Sequence, residues 1–203
     1  TEDNALTNIM IVSATGATNV RFKYVVFRGK NGFSIEQFDN KASTIVGHPN
    51  AAGAMSVGAV RYTNGTAAVE DFSSTGGTLV TTPGGLVNRN KPDFAAPNGG
   101  NNTVLGNDDV SDADLYPNFY GTSAAAPHAA ASAALLMQAR LKFYKPANVT
   151  TTDFFKNTFT PNDVRTLLKN TATPVTTTVS GLPTAAAGAG AINAETAIRT
   201  FGN

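Results

Sequence analysis

A serine at the start of an alanine-rich stretch is the residue in this sequence best placed for covalent chemistry. Ser123 lies in GTSAAAPHAAASAALL, residues 121–136, and the residues after it have high helix propensity. Amides in the first turn of a helix have no partner within it, and the helix dipole favours negative charge there. Ser123 could therefore act as a nucleophile, with the first-turn amides stabilising the oxyanion that forms on the attacked group. Alternatively, it could only cap the helix.

The elements around Ser123 indicate an α/β arrangement. Gly121 allows a tight turn before the serine, and residues 124 to about 143 are predicted to form a helix that is buried on all sides because it is small and apolar. We expect Pro127 in its first turn, where a missing N–H costs least. The run MSVGAV, residues 55–60, is typical of a strand buried on both faces.

The remaining segments are predicted as follows. Thr160 or Asn162 caps a second helix over residues 160–172, and a short helix lies near the end of the chain. Residues 64–118 are rich in Gly, Pro, Asn, Ser and Thr and are predicted to be mostly loop, while 173–180 form a loop or an edge strand. Alternation in VRFKYVVF, residues 20–27, predicts a half-exposed strand, so residues 1–39 are expected to be β-rich.

Composition excludes several classes of function. The net charge is +1 with 14% charged residues, so the chain has no basic stripe to bind nucleic acid. No apolar run is long enough to span a membrane. The absence of cysteine excludes disulfides and thiolate zinc sites.

Several motifs in order resemble the subtilisin-like serine protease family, the subtilases. The Ser123 segment is similar to the family's nucleophile motif, Gly-Thr-Ser-x-Ala-x-Pro-His. One further segment, KPDFAAPNG, has Asn98 where the family usually has glycine. The segments that carry the resemblance, within residues 45–200, are HPNAAGAMSVGAV at 48–60, DFSSTGG at 71–77, KPDFAAPNG at 91–99, GTSAAAPH at 121–128 and GAGAINAETAI at 188–198.

The resemblance implies a fold and a reaction. The fold is the C-terminal portion of a subtilisin-like three-layer parallel-sheet domain, residues 40–203, preceded by the end of an inserted β-rich, β-sandwich-like unit, residues 1–39. Ser123 is the implied acylating nucleophile of an endopeptidase that cleaves polypeptides. Gly121, Thr122 and Ser123 border the cleft, and the Ser123 amide forms part of the oxyanion hole. The resemblance also implies a secreted, periplasmic or cell-surface protein.

The family's aspartate motif, histidine motif and oxyanion asparagine are absent from these residues. His128 lies five residues after Ser123 on the same helix, about 140° around its axis, so it cannot be the base for that serine; we expect it to be packed on the buried helix. His48 is expected to serve a turn. The expectation is therefore that this chain is the C-terminal part of a larger subtilase and is inactive alone, with the missing groups upstream in the same protein. Copies are expected to associate through the exposed sheet edge.

Two acidic features have separate interpretations. Asp108, Asp109, Asp112 and Asp114 fall within seven residues and are candidate ligands of a structural Ca²⁺, or else form a solvated acidic loop. The reaction itself requires no cofactor. Asp93 is interpreted as a structural carboxylate that accepts hydrogen bonds from nearby amides.

Two other functions stay open. The chain could be a non-catalytic module, a pseudoprotease or binding domain that retains the subtilase fold and the serine. It could also be a serine-carboxyl peptidase of the sedolisin type, although KPDFAAP and SVGAV follow the subtilase pattern.

Overall fold

The computed structural model describes residues 8–12, 15–16, 24, 44–62, 68–76, 79–108, 112, 114–178 and 184–202. The chain divides into two compact units, Thr1–Phe38 and Asp39–Asn203. Apart from Tyr24, the strand predicted over residues 20–27 lies outside the described residues, and the β-rich character of residues 1–39 stays a prediction.

Parallel and antiparallel pairing are combined in the main sheet of the second unit. Its strands, in spatial order, are β5 (Phe94–Asn98), β1 (Val57–Arg61), β2 (Ala68–Val69) and β9 (Thr177–Thr178). Strand β1 pairs parallel with β5 and antiparallel with β2, and β2 pairs parallel with β9. The predicted parallel pairing is confirmed for β1–β5 and β2–β9 but not for β1–β2, and the α/β class is confirmed. The strands are β1 Val57–Arg61, β2 Ala68–Val69, β3 Leu79–Thr82, β4 Gly85–Asn88, β5 Phe94–Asn98, β6 Gly100–Asn101, β7 Asn107–Asp108, β8 Pro117–Phe119 and β9 Thr177–Thr178.

The three helices predicted from the sequence, over 124–143, over 160–172 and near the end of the chain, are present with slightly different bounds, and the structure adds a helix at Thr151–Asn157 that was not predicted. They are α1 Thr122–Tyr144, α2 Thr151–Asn157, α3 Pro161–Asn170 and α4 Ala194–Arg199, with 3₁₀ turns at His48–Asn50, Thr184–Ala187 and Thr200–Gly202. Thr160 caps α3, as predicted, by accepting a hydrogen bond from the Asp163 amide. The Thr160 hydroxyl and amide both donate to the Asp163 carboxylate at 2.7 Å, and these bonds lower the pKa of Asp163 below its ordinary value.

Alternation along β1 and β5 sends side chains to two cores. Ala59 and Phe94 join the core formed with α1, α3 and α4, whereas Val60 and Ala95 join the one formed with the Thr184–Ala187 turn. Gly58 permits the second contact, because a Cβ atom there would lie 2.3 Å from a backbone oxygen of that turn. The sheet is thus covered on both faces, as an α/β unit requires.

Helix α1 differs from its prediction in two respects. Leu136 is fully buried, but Leu135 is 50% exposed and Phe143 is 68% exposed, so the helix is not buried on all sides. Because α1 starts at Thr122, Pro127 lies in the second turn rather than the first. Pro127 therefore cannot supply the N–H that would bond the carbonyl of Ser123 four residues earlier.

The prediction of mostly loop over residues 64–118 is wrong for the part that contains β5. This strand is buried on both faces and forms the full five-residue parallel register with β1. The other strands of the region are short: β3 and β4 form a hairpin, and β8 pairs with both β6 and β7. The predicted edge strand at 173–180 is confirmed in β9.

Candidate active site

The turn that leads into α1 depends on glycine. Gly121 has φ 118° and ψ 165°, a conformation that side-chain-bearing residues rarely adopt. Its carbonyl accepts hydrogen bonds from the amides of Ala124 at 3.0 Å and Ala125 at 3.2 Å. The first two helical residues, Thr122 and Ser123, therefore carry the first-turn amides that remain available to a ligand.

Ser123 is exposed, and Thr122 beside it is half-buried. Within the described parts of the chain, neither the amide nor the hydroxyl of Ser123 has a hydrogen-bond partner. Neither group is therefore used in a hydrogen bond within the described residues. A side chain that only capped the helix would accept a hydrogen bond from an amide of the first turn, and α1 has no such side-chain cap.

Ser123 lies at the end of the sheet where the parallel strands β1 and β5 terminate. Asn98, the last residue of β5, is fully buried, and its Oδ1 accepts a hydrogen bond from the Gly121 amide at 3.2 Å. Its Nδ2 donates to the Val60 carbonyl at 2.9 Å, near the end of β1. Ligand sites of α/β sheets lie at the carboxyl ends of parallel strands, and Ser123 has that location.

His128 cannot activate Ser123 from its place on α1. Its Nδ1 lies 2.8 Å from the carbonyl of Ala124, one turn earlier. The ring is therefore held against its own helix, on a different side from the serine. His128 is exposed, so the prediction that it is packed in the interior is wrong.

His48 lies at the opposite end of the parallel strands. The segment that follows it contacts residues that precede β5: Arg89 donates to the Asn50 carbonyl at 2.5 Å, and Ser56 donates its amide to Asp93 at 2.9 Å. Strand β1 alone, Val57–Arg61, spans about 13 Å. A general base must lie about 3 Å from its proton, so His48 is too far from Ser123.

Three of the four candidate metal ligands come together. Carboxylate oxygens of Asp108, Asp112 and Asp114 lie within 4.8 Å of one another, while Asp109 lies outside the described residues. The Asn118 amide donates to Asp112 at 2.9 Å, and the Asn101 amide donates to Asp114. Carboxylate oxygens are the kind of ligand that a hard cation such as Ca²⁺ prefers, but these three supply fewer than its usual six to eight ligands, and amides already occupy part of their capacity.

A comparison with protein-family models decides the family. The subtilase family model matches residues 2–193, nearly the whole chain. The chain belongs to the subtilase family. This family consists of serine proteases, whose substrates are polypeptides, and its members are commonly secreted. No curated protein matches the chain.

The buried Asp93 of this subtilase is structural, as expected from its sequence segment. Lys91 donates to Asp93 Oδ2 at 2.6 Å, and both side chains are only 5% exposed. Arg165 approaches the other carboxylate oxygen at 3.5 Å from α3. These contacts join the starts of β1 and β5 to α3, at the end of the sheet opposite the nucleophile candidate.

Sequence reasoning missed the contact between Asn98 and the Gly121 turn in this subtilase. The signal was present, because an amide stands where the family usually has a glycine. Its partners are far from it in sequence, so they could be identified only in the folded chain. Among the described helices of the subtilase, none combines the length and hydropathy that would cross a membrane.

Proposed function

We propose that the protein carrying this chain is a subtilisin-like serine endopeptidase with Ser123 as its acylating nucleophile. The observation that carries the proposal is the state of Ser123. It is exposed, starts a helix at the carboxyl ends of the parallel strands, and has a hydroxyl and an amide without partners among the described residues.

The proposed reaction uses those two groups separately. The Ser123 hydroxyl oxygen attacks the carbonyl carbon of the peptide bond while a base takes its proton and returns it to the leaving amine. The Ser123 amide donates to the oxyanion, helped by the positive end of the α1 dipole. Water then cleaves the acyl-enzyme. Gly121 and Thr122 border the cleft, and the chemistry requires no cofactor.

The base is proposed to come from polypeptide outside this sequence. The sequence contains two histidines, and the contacts of His128 and the location of His48 argue against either of them. We therefore assign the base, its orienting aspartate and the oxyanion asparagine to an upstream part of the same protein. This chain alone should be inactive, because loss of the base removes most of the catalysis.

The exposed apolar side of α1 is where we propose that this upstream part packs. Leu135 and Phe143 are 50% and 68% exposed and lie about 80° apart around the axis of α1. Exposed apolar area of this kind usually marks an interface. We also propose a secreted, periplasmic or cell-surface location, in line with the family. Association between copies of this chain is the competing outcome for the isolated chain.

A pseudoprotease is the second candidate, and the distance of both histidines from Ser123 is what favours it. Labelling of the full-length protein with a fluorophosphonate, which reacts with activated serines, separates the two functions. We expect labelling that Ser123→Ala abolishes. The matched control is Ser132→Ala on the same helix, whose hydroxyl donates to the His128 carbonyl at 2.9 Å. Absence of labelling in the unmodified protein would instead indicate a pseudoprotease.

A further inference from the structure

Asn98 is the one fully buried polar side chain among the described residues that contacts the Ser123 turn. It ends β5 and meets the main chain of two other segments. Its Oδ1 accepts from the Gly121 amide at 3.2 Å, and its Nδ2 donates to the Val60 carbonyl at 2.9 Å. One amide group therefore links the ends of both parallel strands to the residue two positions before Ser123.

The orientation of the Asn98 amide is determined by its neighbours. Nδ2 faces two acceptors, the Val60 carbonyl and, at 3.4 Å, Oε1 of Glu70. Oδ1 faces the N–H of Gly121, so a flipped amide would place donor against donor and acceptor against acceptor. Glu70 is itself only 3% exposed and is held by Arg61 at 3.0 Å. The oxygen that accepts from Gly121 is thus held in place by a buried polar network.

The turn has a specific need for this contact. Gly121 adopts φ 118°, and no side chain caps α1, so the turn lacks the usual means of fixing a helix start. Glycine is also the residue with the most backbone freedom to lose. Next to Asn98, the Gly99 amide donates to the Phe119 carbonyl at 2.9 Å. That backbone contact does not depend on the Asn98 side chain, so it can hold β5 near β8 when the side chain is removed.

We propose that Asn98 is a positioning residue of the active site, acting through the Gly121 amide to hold the Ser123 turn at the ends of β1 and β5. The inference rests on the proposed function, since it assigns a role toward the nucleophile. Asn98 touches neither substrate nor the reacting hydroxyl. Small displacements of a reacting group lower rates steeply, so loss of the contact should slow acylation about tenfold.

The experiment compares two substitutions in the full-length protein. The measured quantity is the second-order rate constant for fluorophosphonate labelling, corrected for the folded fraction. Asn98→Ala removes all three side-chain hydrogen bonds and should label about tenfold more slowly. Asn98→Asp keeps an oxygen that can accept from Gly121 and should recover most of that rate. Its carboxylate faces Glu70, so its melting temperature should stay below that of the unmodified protein. If Asn98 had a purely structural role, the labelling rate constants of the two variants would instead fall in the same order as their melting temperatures.

Ser73→Ala is the matched control. The Ser73 side chain is also buried, and its hydroxyl accepts from the Ala59 amide at 2.9 Å, away from the Gly121 turn. This variant should lose stability but label at the unmodified rate. Equal slowing by Ser73→Ala and Asn98→Ala would overturn the positioning role.

The remaining outcomes separate the inference from the proposed function. If Ser123→Ala abolishes labelling while Asn98→Ala labels at the unmodified rate, the positioning role is overturned and the proposed function stands. Labelling that survives Ser123→Ala overturns both. If Asn98→Ala does not fold, hydrogen exchange of the Gly121 amide in the unmodified protein tests the contact between Asn98 and Gly121 instead. Protection by the Asn98 oxygen supports the inference, and exchange as fast as in an unfolded chain overturns it.

Discussion

Replacing Gly121 by alanine tests whether the backbone before Ser123 is as constrained as its geometry indicates. A Cβ atom at this position would lie 3.6 Å from the Ser123 nitrogen and 4.0 Å from its Cβ, which is ordinary contact. Steric clash therefore contributes little. The cost is the conformation itself, φ 118° and ψ 165°, which is worth about 1–3 kcal/mol for a residue with a side chain.

The net effect of Gly121→Ala follows from two opposing contributions. Alanine restricts the unfolded chain, which offsets about 0.4–1 kcal/mol of the strain. The expected loss is about 1–2 kcal/mol in the free energy of unfolding, or roughly 2–8 °C in melting temperature for a domain of this size. If the turn moves to relieve the strain, stability recovers but Ser123 is displaced, and fluorophosphonate labelling falls instead.

Urea denaturation and labelling of the full-length protein are measured together for this reason. The matched control is Gly53→Ala, because Gly53 has no positive φ and its Cβ would meet nothing within 4 Å. That control should change stability by less than about 0.5 kcal/mol. If Gly121→Ala matches the control in both stability and labelling, the constrained turn is refuted.

Two further predictions concern the scaffold. Asp93→Ala leaves the buried Lys91 ammonium without its carboxylate and should lower the free energy of unfolding, measured by urea denaturation, by about 3–5 kcal/mol. The control Glu195→Ala removes an ion pair with Arg199 whose side chains are 76% and 74% exposed. It should lower the free energy of unfolding by less than about 1 kcal/mol. Equal losses would contradict the structural role of Asp93. Because Thr160 lowers the pKa of Asp163 in the folded state, the carboxylate contributes stability above its ordinary pKa that is lost as pH falls through the folded value. Because this carboxylate is exposed to solvent, Asp163→Asn should weaken α3 by less than about 1 kcal/mol at pH 7 and reduce the loss of stability on acidification below about pH 4. An unchanged acid dependence would count against that contact.

Local patterns predicted α1, α3, α4 and the buried strand β1, because their signals lie within a few residues. Thr160 stands three residues before Asp163, a capping pattern that needs no tertiary information. Strand β5 was missed because Pro97 and Asn98 are typical of loops. Proline is tolerated there because β5 is an edge strand, where a missing N–H need not break the ladder, and Asn98 fits because its amide is satisfied from β1 and from Gly121.

The candidate site was only partly predictable for a related reason. Gly121 lies only two residues before Ser123, and their motif can be recognised from the sequence alone. The contact from Asn98 spans 23 residues, so no local pattern contains it. The exposure of Leu135 was also unpredictable, because burial of a small apolar helix depends on what else packs against it.

The central claim is that Ser123 is the nucleophile, and mapping the covalent adduct tests it most directly. The full-length protein is treated with a fluorophosphonate, digested, and analysed by mass spectrometry. We predict one stoichiometric adduct, on the peptide that contains Ser123, at the hydroxyl of that residue. An adduct on another residue, with Ser123 unmodified, would contradict the assignment.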